Sequence, residues 1–234
     1  MKLFNILLIL TIGISSLSYS QQKQVSVSYS VTKEARVLDT DLIYNKTTGE
    51  KISEKEFRKL VKLNPRLNLE RLYDARGNII RYIYDPNNQN VPQRRYPYSV
   101  APKGKPYPNF ILNTTNEEQI ELEKLKGKLV IVRFELFSSG LRFKQNEVED
   151  LDQKINALDN QEEIESIIIF GVGKEEVEKG FSLANTNFKL VSDGEIFFDK
   201  YQIDRFPMTA LIDKEGNLID YFKYSEDIDF KNHF

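Results

Sequence analysis

The chain has 234 residues, 40% apolar and 29% charged, a globular balance that fits one domain of about 100–150 residues plus something smaller. It has no cysteine and a single histidine, His233. That excludes thiol–disulfide chemistry, thiolate nucleophiles and sulfur ligation, and it leaves no imidazole set for a zinc or iron site.

Residues 1–20 read as a secretory signal peptide. Lys2 is the basic start, Leu3 to Ile14 is nearly all apolar, and Ser16-Leu17-Ser18-Tyr19-Ser20 offers small residues ahead of Gln21. The apolar run is short for a membrane span, so the mature chain is expected to have no transmembrane segment and to be periplasmic or secreted. Disulfides are permitted there, yet this chain stabilises itself without any.

Residues 21–39 read as a polar arm, an edge strand or a disordered lead-in, in which Val25, Val27, Tyr29 and Val31 alternate. Residues 40–85 read as a small α+β domain. A short strand at Asp41–Tyr44 and a turn at Thr47-Thr48-Gly49 lead to the capping box Ser53-Glu54-Lys55-Glu56. Phe57, Leu60 and Val61 give the helix its apolar stripe, and Pro65 ends it. Leu67–Leu72 and Ile79–Tyr84 flank the turn Asp74–Asn78 as a hairpin.

Residues 86–107 contain Pro86, Pro92, Pro97, Pro102 and Pro106 with Arg94, Arg95, Lys103 and Lys105, a basic run expected to be an extended linker rather than a packed element. From 108 to 228 strand and helix alternate. A strand is expected at Asn109–Leu112 and a buried central strand at Lys128–Leu136. A helix follows over Ser139–Asn160, a second buried strand over Ser166–Val172, a short helix over Lys174–Asn185, a strand fragment over Phe188–Val191 and another short helix over Gly194–Tyr201. Strands at Thr209–Asp213 and Leu218–Tyr224 close the order, and residues 229–234 form a C-terminal tail. The order βα, βα, β-hairpin predicts an α/β sandwich, a central mixed sheet flanked by helices, preceded by the small α+β domain.

Charge divides the chain. Residues 21–108 carry 17 Lys+Arg against 9 Asp+Glu, and residues 109–234 carry 15 against 26. The split predicts a basic unit that docks on the acidic one, or on a neighbouring copy to give a homodimer, and that loosens as salt rises.

The stretch YQIDRFPMTALIDKEG at Tyr201–Gly216 resembles the cis-proline region of thioredoxin-like proteins, namely the TlpA/ResA-type thiol–disulfide oxidoreductases and the related AhpC/TSA redoxins. Pro108-Asn109-Phe110 and Leu125-Lys126-Gly127-Lys128 resemble two further landmarks of that family, in the same order. The resemblance implies a thioredoxin-like sandwich over residues 108–228 and a cis bond before Pro207. It also places the family's two active-site cysteines at Ser139 and Arg142, in the segment Ser139-Gly140-Leu141-Arg142. The chain is thus expected to be a degenerate member, with Ser139 capping the following helix and Phe206 either a recognition aromatic or core filling a disused site.

No catalytic, cofactor-binding or metal-binding residue is assigned. Serine catalysis at Ser138 or Ser139 lacks a base, and the pairs Glu147/Asp150 and Asp199/Asp204 read as solvated charge. Gly171–Lys174 has glycines too close together for a phosphate loop. The expected function is a redox-inactive binding or assembly module in the cell envelope, with a protein partner and no nucleic acid. The alternative is an oxidoreductase of the thioredoxin/peroxiredoxin group working beside a cysteine-bearing partner.

Overall fold

A computed structural model describes residues 38–87, 101–183 and 185–233. The expected signal peptide, nearly all of the polar arm and residues 88–100 of the expected linker lie outside the described residues.

Strand β1 (Ile43–Asn45) leads to helix α1 (Glu54–Leu63), whose start is set by the Ser53 hydroxyl accepting from the Glu56 N–H at 3.3 Å. Strands β2 (Glu70–Tyr73) and β3 (Ile79–Tyr84) form the expected hairpin, and β1 runs parallel to β3, giving the order β1-β3-β2. Ile43, Ile52, Phe57, Tyr82 and Tyr84 are buried here, while Val61, expected in the helix stripe, is exposed.

Strand β4 (Ile111–Asn113) pairs antiparallel with β5 (Gln119–Glu121). The second strand carries a single apolar residue, Ile120, and so leaves no periodic signal in the sequence. Next come β6 (Leu129–Glu135), α2 (Gln145–Asn156), β7 (Ile164–Phe170), α3 (Lys174–Gly180), β8 (Phe188–Val191), α4 (Glu195–Tyr201), β9 (Met208–Ile212) and β10 (Leu218–Phe222).

These strands make one sheet in the order β10-β9-β6-β7-β8. β6, β7 and β8 are parallel, β9 is antiparallel to β6, and β10 is antiparallel to β9. Val132 sits between Ile167 and Ala210 in the register. Alternation along β6 builds two cores: Val130, Val132 and Phe134 pack with Phe197, Phe198 and Tyr201 of α4, and Leu129 and Ile131 pack with Val148, Leu151 and Ile155 of α2. The mixed sheet with helices on both faces is the thioredoxin-like architecture, and a small α+β unit precedes it.

Four expectations are corrected. Residues 101–107 are not an unpacked linker. Gly104 and Tyr107 donate to the Leu218 and Gly216 carbonyls at 2.7 and 2.9 Å, and the Leu218 N–H donates to Lys105 at 2.9 Å. β10 is an outer strand whose free main-chain groups need partners, and the non-proline residues of this run supply them. The helix expected from Ser139 to Asn160 begins only at Gln145, and the one expected to reach Asn185 stops at Gly180. Residues 229–233 are more than a tail: Phe230 is buried in the second core.

Candidate functional site

The segment that follows β6 does not continue into a helix. Gly140 takes a φ of 81°, a left-handed conformation that turns the chain, and the Phe143 N–H donates back to its carbonyl at 3.2 Å. The turn drives Phe143 inward, where its ring packs at 6.0 Å from both Phe170 and Phe181. Leu141 is left fully exposed at the tip, and the Arg142 guanidinium lies 5.8 Å from the centre of the Phe137 ring. Helix α2 then starts after Lys144, with no side-chain cap. Ser139 therefore does not cap a helix. Anchoring Phe143 between β7 and Phe181 outweighs the turns of helix that residues 139–144 forgo.

The two serines meet α3 instead. Ser138 is fully buried, and its hydroxyl donates to the Glu176 carbonyl at 2.9 Å. A Cβ at Gly180 would stand 2.7 Å from Ser138 Oγ and 2.9 Å from Ser139 Cβ, so the last turn of α3 lies directly against both serines.

The Phe206–Pro207 peptide is cis and precedes Met208, which pairs with Phe134. Both expected segments thus lie at the C-terminal end of β6. Phe206 packs at 4.7 Å on Phe198 in the first core, whereas Phe143 and Phe181 belong to the second.

Beneath the loop lies an ion pair that sequence reading missed. Arg133 and Glu135 are fully buried on β6, with Nε donating to Oε1 at 2.7 Å. Arg133 Nη1 reaches Thr209 Oγ1 at 3.3 Å, and Nη2 is buried without a hydrogen-bond partner. Burial pushes the Glu135 carboxyl up to about 7, against the pull of Arg133 and helped by Glu147. The signal was present in the sequence: two charges at i and i+2 inside an apolar run place both on one face of a buried strand.

The other candidate carboxylates are dispersed. Glu147 accepts from the Ser225 N–H at 2.6 Å, Asp150 pairs with Lys154, and Asp199 pairs with Arg71. The Gly171 N–H closes onto the Glu135 carbonyl, a strand end rather than a phosphate cradle. Among the described residues no group of three or more His, Asp or Glu is placed to hold a metal ion, and no helix is long and apolar enough to cross a membrane.

Strand order, strand direction and the two helical faces define a thioredoxin-like fold, and this chain carries no cysteine. No family model matches the chain, and no curated protein matches it by sequence. Among solved structures it is similar to a thiol:disulfide interchange protein from Bacteroides sp., at 21% identity over 54% of this chain and 85% of that one, with a TM-score of 0.45. It is also similar to the thioredoxin domain of a thiol-disulfide oxidoreductase from Bacteroides vulgatus, at 20% identity over 55% and 93% with a TM-score of 0.44. An exposed lipoprotein thioredoxin from Streptococcus pneumoniae matches at 20% identity over 50% and 93%, with a TM-score of 0.40.

Proposed function

We propose that this chain is an exported, redox-inactive thioredoxin-like protein that serves as a binding or assembly module in the cell envelope. One observation carries the reading. The positions that the family resemblance assigns to the reactive cysteines, Ser139 and Arg142, lie in a loop outside any helix, and Ser139 is packed under Gly180. A thioredoxin-type thiolate draws its low pKa from a helix N-terminus, and neither the sulfur nor that placement is present. The apolar stretch of residues 3–14, followed by small residues before Gln21, supports export.

Purified protein should reduce insulin disulfides and consume peroxide no faster than buffer. A rate that survives repurification overturns redox inactivity. Release by osmotic shock with Gln21 as the first residue is the expected result for export, and retention in the cytoplasm with Met1 intact overturns it.

A further inference from the structure

On the first-core side of the molecule, β2 and the C-terminal end of α4 border a half-open cavity of about 260 Å3. One wall is Asn68, Arg71 and Tyr73; the other is Asp199, Gln202 and Asp204, with the buried Phe198 and Ile203 as apolar floor. The volume is below the ~300–1,000 Å3 of a cofactor pocket and suits one long side chain.

Two features narrow the occupant. β2 is the outer strand of its sheet, so among the described residues its far edge faces no further strand. Main-chain donors and acceptors along such an edge are a template for an extended peptide. The second feature is charge. Arg71 Nη1 lies 3.0 Å from Asp199 Oδ2 and balances it, whereas Asp204 makes no ion pair among the described residues. The cavity therefore holds one carboxylate more than its cations. Its opposite wall is fixed: Gln202 adopts a left-handed conformation, and its N–H donates to the Asp199 carbonyl at 3.2 Å.

We propose that this cleft binds an extended peptide segment of another protein, which lies along β2 and seats a single Lys or Arg side chain beside Asp204 and Asp199. Strand pairing supplies affinity and the cavity supplies selection for one basic residue. The site is separate from the 137–144 loop, and the outcome of the insulin assay does not bear on it.

The test is titration of the full chain with the peptide acetyl-Thr-Val-Lys-Val-Thr-amide, followed by amide NMR shifts. The expected result is saturable shifts at residues 68–73 and 199–204. The same peptide with Glu for Lys, and the Lys peptide methylated on alternate main-chain nitrogens, bind more weakly by about tenfold or more. Asp204→Lys, at an exposed position, weakens the Lys peptide to the same extent while leaving the folded spectrum intact. Three results overturn the proposal: no shifts at those residues, equal binding of the Glu peptide, or shifts reproduced by butylamine alone. Concentration-dependent shifts at the same residues without any peptide would instead assign the cleft to a second copy of this chain, and would overturn it too.

Discussion

Arg133 and Glu135 are costly residues to bury, because each charge leaves water for the interior of a sheet. Removing one partner strands the other, so Glu135→Ala should lower stability by about 3–5 kcal/mol, whereas replacing both by leucine should be neutral or stabilising by about 1–4 kcal/mol. Denaturant midpoints measure both. The raised Glu135 carboxyl also sets a pH dependence. Between its unfolded value of 4.5 and its folded value of about 7 the native state holds more protons than the unfolded one. Stability contributed by this group therefore falls as pH rises across that window, and Glu135→Gln should flatten the slope relative to the parent. At Gly180 the issue is space. Ala there places its methyl within 2.7 Å of a hydroxyl that is already engaged with Glu176, and a loss of about 1–3 kcal/mol is expected in thermal unfolding.

At the scale of elements, the loop 137–144 decides what this end of the sheet does. Its aromatic anchor faces inward and its leucine faces out, and the helix that would present a reactive group begins only at Gln145. The double variant Ser139→Cys/Arg142→Cys restores the sulfur atoms but not the helix N-terminus. Its insulin-reduction rate should match the cysteine-free parent, and a clear gain would show that the loop is no obstacle. Leu141→Asp, at the fully exposed tip, should change stability by less than about 0.5 kcal/mol. The proline run makes the complementary point. Composition predicted an extended spacer, but residues 102–105 turn, with the Lys105 N–H donating to the Pro102 carbonyl at 3.0 Å, and the outer edge of β10 recruits residues 101–107 as its partner.

At the scale of the whole molecule, the hairpin of the small sheet is fastened to α4 by Lys200. Its buried ammonium donates to the carbonyls of Asp74 at 2.7 Å, Asn109 at 2.6 Å and Ala75 at 3.4 Å. Burial pulls this amine down to about 8, only partly offset by Asp74. The folded state then holds fewer protons than the unfolded one from about 8 to 10.5, so this group's contribution to stability rises with pH over that range. Lys200→Met leaves those carbonyls without their donor and should cost about 1–3 kcal/mol, with faster hydrogen exchange at residues 70–84. Charge asymmetry alone predicted a contact that salt would loosen. Buried hydrogen bonds are screened little, so exchange at residues 70–84 should be unchanged between low and high salt, with the exposed Arg71–Asp199 and Lys103–Asp220 pairs responding instead. A large rise in exchange with salt would restore the electrostatic account.

By itself the sequence determined the features that depend on near neighbours: the cap at Ser53, the buried runs of β6 and β7, the order of strands and helices apart from β5, and the exclusion of thiol chemistry. Apolar periodicity and capping residues act over a few positions, so they are legible along the chain. Tertiary structure alone decided the loop after β6, since whether residues 139–144 join a helix turns on a socket for Phe143 built by Phe170 and Phe181. It also decided the acceptors of Lys200, the pairing of 101–107 with β10 and the fate of the charges on β6. In each case a polar or aromatic group is stabilised by partners distant in sequence, and burial, not local propensity, sets the energy.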